Sequence, residues 1–407
     1  MNPAAAPAAP PDRLAVLTAA VHRPMFLAGA VQLLATVLFW LGELWLRRSG
    51  QTLATVLPAT WAHVLLMLYG SFTFFIFGFL MTVYPRWMDG PELVRAQFLP
   101  TVGWLAGGQA LVWIGLFSSK TVLGLGIAAM LAGWGLGAAR LYGVHFDTGR
   151  GKLQERVLNG ALAGGWLGLA SFLLWLLSGD AGFLLFALKA GLWFWLLPVF
   201  VTVCHRMIPF FGSCVLPGYA IVRPDALLKL WAGGSALHGL LELANLPTWT
   251  WIIDLPMAAS AAWIAWQWQP ARALKIRLLG VLHIAFWWFG FAMFLYGLNA
   301  LLLAFGGNGL GRAPLHAIGI GLCAALVIAM ATRVTLGHSG GRLMADDYTW
   351  YCFLAINAAA LARVAADVHG WPTLNLVAAA LWIAAFGAWV WKYAPIYVRP
   401  RSDGRPG

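Results

Sequence analysis

Long apolar stretches follow one another along almost the whole chain, and about twelve of them could cross a membrane. A helix rises 1.5 Å per residue, so roughly 20 apolar residues span the hydrocarbon core of a bilayer, which is about 30 Å thick. This pattern leaves 61% of the 407 residues hydrophobic and only 10% charged. Because soluble domains carry about 25% charged residues, a water-soluble fold is excluded.

The stretches predict an all-α fold, a polytopic membrane bundle, because open sheets cannot satisfy their backbone hydrogen bonds in lipid. They form one predicted transmembrane domain, residues 23–393. A disordered Ala- and Pro-rich tail, residues 1–22, precedes it, and a C-terminal tail, residues 394–407, follows it. The predicted spans are 25–46, 61–84, 98–117, 122–142, 157–177, 183–204, 226–245, 249–268, 276–304, 315–335, 348–367 and 373–391.

Positive charge is distributed unevenly among the connections. The chain has 26 Lys and Arg against 14 Asp and Glu, and most of the cations lie in the two tails and the even-numbered connections. The odd-numbered connections hold only Arg47, Arg48, Lys120 and Arg312. By the positive-inside rule this predicts an even number of spans with both termini in the cytoplasm. The cations form no single patch, so the lipid bilayer is the predicted partner and nucleic acid is not.

Nine histidines are the main candidates for chemistry, because imidazole is the usual protein ligand for haem iron and for copper. Their depth in the predicted spans favours two layers. His63, His238 and His316 lie toward the outer face, and His205, His283 and His338 toward the cytoplasmic face. The alternative for any one of them is an ordinary interhelical hydrogen bond. That alternative is stronger still for His22, His145 and His369, which lie near predicted interfaces or in loops.

Helix geometry limits how these histidines can be grouped. His316 and His338 are 22 residues apart, roughly 33 Å along a helix, so one metal ion cannot bind both. Glu242 follows His238 by four residues and shares its helical face. That pair is a ligand with its carboxylate partner, a proton entry point or a structural hydrogen bond, and the spacing alone leaves all three open.

Two arginines lie beside cytoplasmic-layer histidines. Arg206 follows His205, and Arg333 precedes His338 by five residues. Both could pair with haem propionates, and both also satisfy the positive-inside rule. Arg363 and Asp367, four residues apart, are interpreted as an ion pair at a helix end.

Several chemistries are excluded for want of their motifs. The sequence has no Gly-rich phosphate loop with its lysine, no Gly-x-Ser-x-Gly elbow and no Cys-x-x-Cys-His attachment site. The four cysteines show no Cys-x-x-Cys spacing either. Any haem would therefore be bound non-covalently, which favours a b-type haem.

Six strings resemble the NnrS family, in that family's order and across most of the chain. They are WAHVLLMLYG (61–70), GFLMTVYPRW (78–87), RMIPFF (206–211), LLGVLHIAFWWFG (278–290), LHAIGIG (315–321) and RVTLGHSGGRL (333–343). The resemblance implies a twelve-helix bacterial membrane protein that contains haem and copper and is associated with nitric oxide tolerance and denitrification.

Within the resemblance, His63, His283, His316 and His338 fall inside matched strings, His205 directly precedes one, and His238 lies outside them. One departure concerns copper. Family members commonly have a second histidine and a glutamate shortly after the first histidine of the second span, where this chain has Leu65 and Leu66. Haem is therefore the firmer expectation, and copper the weaker one.

The resulting hypothesis is a haem protein that binds or reduces nitric oxide, with Glu242 or Tyr69 relaying protons and an electron donor that the sequence does not identify. The first alternative is a protein that binds, senses or stores nitric oxide, haem or copper without turnover. The second is a secondary transporter. It is disfavoured because such proteins are expected to have two related halves, and no internal repeat is evident.

Overall fold

The computed structural model describes residues 12–149 and 151–403, and these form helices and connections without a strand. The predicted disorder of the first eleven residues lies outside this part of the chain. Twelve long helices, α1 to α12, account for most of the described residues. They are His22–Arg47, Ala59–Trp87, Arg95–Ser118, Lys120–Thr148, Leu153–Ser178, Ala181–Val215, Asp225–Leu243, Trp251–Gln267, Arg277–Ala304, Ala313–His338, Asp347–His369 and Pro372–Tyr397.

Ten of these helices are long and apolar enough to cross a membrane, so the protein is a multi-pass membrane protein, as predicted. The other two, α7 and α8, have 19 and 17 residues, and α7 carries Asp225, Lys229 and Glu242. The predicted number of exactly twelve spans is therefore not established. Because α7 and α8 follow one another, both counts are even.

The first and last helices are joined by a buried arginine. The Arg23 guanidinium is 2% exposed and donates hydrogen bonds to the carbonyl oxygens of Ile396, Tyr397 and Arg399 at 3.4, 3.2 and 2.9 Å. These carbonyls lie at the C-terminal end of α12, where helical acceptors lack partners and a cation is favourable. The predicted N-terminal tail includes a short helix, Arg13–Leu17, and α12 continues to Tyr397, beyond the predicted domain end at residue 393.

The tight connection between α5 and α6 is formed by local turn chemistry. Gly179 adopts φ 78°, a left-handed conformation that ends α5 without steric penalty. The side chain of Asp180 then accepts a hydrogen bond of 2.7 Å from the Gly182 N–H and caps α6. Two residues therefore suffice to reverse the chain.

The twelve helices are arranged as three sets of four, α1–α4, α5–α8 and α9–α12. The fourth helix of each set packs against the first helix of the next, so that α4 contacts α5, α8 contacts α9, and α12 contacts α1 and closes a ring. The second helices, α2, α6 and α10, contact one another in all three pairs. The prediction that the chain has no internal repeat considered two halves, whereas the packing has three parts.

The three central helices share a further feature, a π-helical segment with one extra residue per turn. The segments are Leu66–Ser71 in α2, Ala190–Leu196 in α6 and Ala317–Ala324 in α10. Such segments are rare and are found frequently at functional sites. Between the three helices lies an apolar cavity of about 40 Å³ lined by residues that include Phe79, Val199 and Leu326, one from each. The helices therefore meet around a common axis.

Helices α3 and α4 pack against each other through glycines. A β-carbon on Gly126 would lie 2.6 Å from the backbone nitrogen of Val112 and 2.9 Å from the carbonyl oxygen of Gly108. Close backbone approach through small residues is a main source of helix association in membranes. The seam therefore tolerates no larger side chain without moving a helix.

We expect Gly126→Ala to destabilise the protein by about 1–3 kcal/mol, the usual cost of overpacking. Gly107→Ala is the matched control, because nothing lies within 4 Å of the position of its added β-carbon. The measurement is the thermal unfolding midpoint of both variants in detergent. Equal midpoints for the two variants would contradict the close packing of α3 against α4.

Candidate functional site

Two predicted ligands, His63 and His316, are brought together by the central helices. His63 lies near the start of α2 and His316 near the start of α10, at the end of the bundle that carries the odd-numbered connections, here called the odd face. The two imidazoles lie within electrostatic range of each other and of Arg363. His63 stacks on Trp40 of α1 with ring centroids 4.2 Å apart, and its Nδ1 is buried without a hydrogen-bond partner. That nitrogen is free to bind a metal.

The His316 ring is held in place through its Nδ1 nitrogen. Its Nδ1 lies 3.0 Å from the carbonyl oxygen of Arg312 and 3.4 Å from Asp367 Oδ2. Asp367 is in turn paired with Arg363 at 2.7 Å, which is the ion pair predicted from their spacing. Metal-binding histidines commonly anchor one ring nitrogen in this way and leave the other for the metal. His63 and His316 therefore fit the requirements of a metal-binding pair, such as one that holds haem.

A second pair lies at the opposite end of the bundle, the even face. The ring centroids of His22 and His338 are 4.7 Å apart. His338 Nδ1 lies 2.9 Å from the Val334 carbonyl oxygen, whereas His22 Nδ1 is buried and has no hydrogen-bond partner. Because α10 is one helix from Ala313 to His338, the structure agrees that His316 and His338 belong to different sites.

His238 lies in a third cluster, formed by α6, α7 and α8, and not beside His63. Its Nδ1 is 2.7 Å from Asp254 Oδ1, and its Nε2 is 3.8 Å from Glu242 Oε2. Glu242 also accepts a hydrogen bond of 2.7 Å from the Trp193 indole and forms an ion pair of 2.9 Å with Lys189. The Trp193 ring stacks on the imidazole, with centroids 3.6 Å apart. The predicted His238 and Glu242 pair is therefore part of a larger ionic network.

The remaining predicted histidines do not converge on these sites. His205 uses both ring nitrogens, since Nδ1 lies 3.3 Å from the amide nitrogen of Gln154 and Nε2 lies 3.1 Å from the Pro224 carbonyl oxygen. These contacts are the interhelical hydrogen bonds expected of a structural histidine. His283 is 2% exposed, contacts Trp268 edge to face, and has a buried Nδ1 without a partner.

The two arginines predicted to pair with propionates lie at the even face, far from His63 and His316. Arg206 pairs with Glu155 at 2.9 Å and lies 4.3 Å above the Trp87 ring. Arg333 lies 3.6 Å above the ring of Phe211. Roughly 25 Å of α10 separate Arg333 from His316, so neither arginine can contact a haem that is held by that histidine.

Tyr69, the second predicted proton carrier, is fully buried in the π-helical segment of α2. Its hydroxyl donates a hydrogen bond to the carbonyl oxygen of Ala187 near the start of α6. A carbonyl cannot pass a proton onward, so this contact joins two central helices. Glu242 is the better placed of the two predicted carriers, because it is 17% exposed and contacts His238.

Among the described residues, protein side chains alone form no complete metal site. Within residues 12–149 and 151–403, no group of three or more His, Cys, Asp or Glu side chains is arranged to hold a metal ion. The four cysteines are all free, and Cys214 alone is exposed. A haem iron needs only one or two ligands from the protein, so the histidine pairs suit haem better than a copper site of three histidines.

Sequence reasoning missed three contributors to these clusters. The sequence places His22 among the histidines near predicted interfaces or in loops, and it does not single out Asp254 or Trp40. An intramembrane aspartate is by itself a signal of function, so Asp254 could have been found. The contact of His22 with His338 and that of Trp40 with His63 depend on which helices are neighbours, and no local pattern carries that information.

A sequence profile described as NnrS protein matches residues 16–401. The match covers nearly the whole chain and confirms the resemblance inferred from the six strings. A search of curated proteins finds no match.

Proposed function

Because the chain belongs to the NnrS family, we propose that it is a haem protein of the bacterial inner membrane that acts on nitric oxide. The observation that carries the proposal is that His63 and His316 lie near the starts of two central helices at the same end of the bundle, His63 with a buried ring nitrogen that has no hydrogen-bond partner and His316 with a ring anchored by Arg312 and Asp367. These two residues would hold the haem. Bound haem iron supplies a site for a diatomic gas.

The chain's own residues prepare this position in three ways. Trp40 fixes the plane of the His63 ring by stacking, and Arg312 and Asp367 fix that of His316. Arg363, close to both rings, supplies a cation at the odd face that would suit a propionate. An uncharged gas can reach such a site through lipid.

The proposal also includes a copper ion, which would bind at the even face and not beside the haem. His22 and His338 would supply its two imidazoles, since their separation of 4.7 Å allows both rings to contact one ion.

The proposed orientation places both termini and the even face in the cytoplasm. The asymmetry of the loop cations supports it, and it holds for ten or for twelve spans. Reporter fusions to the C-terminus and to the connection between α3 and α4 are expected to report opposite sides of the membrane. A C-terminal reporter on the periplasmic side of the membrane would overturn the orientation.

The function is tested with purified protein in detergent. We expect an absorption spectrum of non-covalent haem that changes when nitric oxide is added. Under excess reductant, continuous loss of nitric oxide indicates an enzyme that reduces it, and loss that stops at the haem concentration indicates a binding protein. A protein from well-supplied cells that lacks haem, or whose spectrum is insensitive to nitric oxide in both redox states, would overturn the proposal.

A further inference from the structure

Two clusters occupy equivalent positions in their sets of four helices. One is the cluster around His238, here called the α6–α7 cluster, which contains Lys189, Glu242 and Asp254. The other is the odd-face cluster of α10 and α11, which contains His316, Arg363 and Asp367. Lys189 and His316 each directly precede the π-helical segment of a central helix. Each lies against an acid near the end of the third helix of its set, Glu242 in α7 or Asp367 in α11. Lys189 therefore corresponds to His316, and Glu242 corresponds to Asp367.

The counterparts differ at one position in a way that concerns charge. Four residues before Asp367 stands Arg363, which pairs with it at 2.7 Å. Four residues before Glu242 stands His238, and α8 adds a second carboxylate, Asp254. An arginine carries its charge permanently, whereas a histidine carries one only when it binds a proton.

The charges of the α6–α7 cluster cancel only when one proton is bound. Lys189 carries one positive charge, while Glu242 and Asp254 carry two negative charges when both are ionised. His238 is 1% exposed and Asp254 is fully buried, and an uncompensated charge in such a place is costly. A proton on His238 makes the sum zero and lets the ring donate toward both carboxylates.

We propose that His238, Glu242, Asp254 and Lys189 form a buried proton-binding site in which His238 holds one exchangeable proton between two carboxylates. Trp193 and Tyr296 enclose the ring, with centroids 3.6 and 4.9 Å from that of His238. Tyr296 is the other titratable group that faces the ring. The site itself does not depend on haem, but its use as a source of protons for nitric oxide reduction would rest on the proposed function.

The cluster opens to the odd face through two of its residues. Glu242 and Lys189 are 17% and 27% exposed at the odd face, so a proton can enter or leave there. Deeper in the bundle, Asp254 Oδ2 is buried and has no hydrogen-bond partner. The Asp254 carboxylate therefore keeps a free acceptor oxygen besides Oδ1, which pairs with His238 Nδ1.

The test is nitrogen NMR of histidine rings in the full-length protein in lipid nanodiscs at pH 8. We expect one imidazolium signal, assigned to His238 because it disappears in His238→Gln. Asp254→Asn removes one negative charge, so the imidazolium fraction is expected to fall to about a few per cent, as for an unperturbed histidine. Glu242→Gln, nearer the odd face, removes one charge as well and is expected to have the same effect.

Asp367→Asn is the matched control, since it alters the equivalent cluster and should leave the His238 signal unchanged. A neutral His238 ring in the wild-type protein would overturn the proposal, as would an imidazolium signal that persists in both charge-removing variants. Because the measurement detects neither haem nor nitric oxide, its failure is separate from failure of the proposed function.

Discussion

Replacing His63 or His316 with alanine is expected to strip haem from the protein while leaving it folded. Loss of an outer partner of a metal-binding histidine lowers affinity by about 10–100-fold, so loss of the ligand should lower bound haem at least about tenfold. Both residues are partly exposed at the odd face, so neither truncation opens a large cavity in the core. The measurement is the ratio of haem to protein after purification.

His369→Ala is the control, because this histidine stacks on Trp371 at the end of α11 and does not lie on a central helix. It should retain haem fully. Full retention in both His63→Ala and His316→Ala, together with loss in His22→Ala or His338→Ala, would move the haem to the even face and contradict our assignment.

Replacing Arg206 with alanine is expected to destabilise the protein by about 3–5 kcal/mol, the usual cost of removing one partner of a buried ion pair. The pair is buried because the side chain of Glu155 is fully covered and that of Arg206 is 13% exposed. Glu155 also accepts a hydrogen bond of 3.0 Å from the Lys152 N–H at the start of α5. The measurement is the free energy of unfolding in mixed detergent micelles.

The matched control is Arg86→Ala, which breaks an exposed pair with Glu92 and should cost at most about 1 kcal/mol. The Arg206→Ala experiment also separates the two interpretations of this arginine. Lower stability with an unchanged ratio of haem to folded protein is the expected result. A stable variant that lacks haem would instead support the pairing of Arg206 with a propionate.

Depth along the membrane was largely predictable. Once a segment must be helical, its rise per residue places each side chain at a height, and this correctly separated His316 from His338. It also placed His63 and His316 at the same end, where the structure brings them together. His238 was placed in the same layer, yet it lies in the second set of helices beside Asp254, because equal depth does not make two helices neighbours.

The repeat was also within reach of the sequence, although two related halves were the wrong pattern to seek. Arg206 follows Lys189 at the same interval as Arg333 follows His316, and Thr-Val precedes both Arg86 and Arg206 at the same spacing. These similarities are short and lie within long apolar stretches. They indicate a repeat only when the packing of α2, α6 and α10 around one axis is known.

The sequence by itself determined the fold class, the family and the depth of the histidines in the membrane. It predicted an all-helical membrane protein and the end of the bundle at which each histidine lies. Hydrocarbon forces this, because a chain in lipid must pair its own backbone groups and its polar side chains stand out against the apolar background. Only the tertiary structure decided the partners, such as His22 for His338 and Asp254 for His238. Which faces of which helices meet depends on close packing across the bundle, and hydropathy along one helix does not encode it.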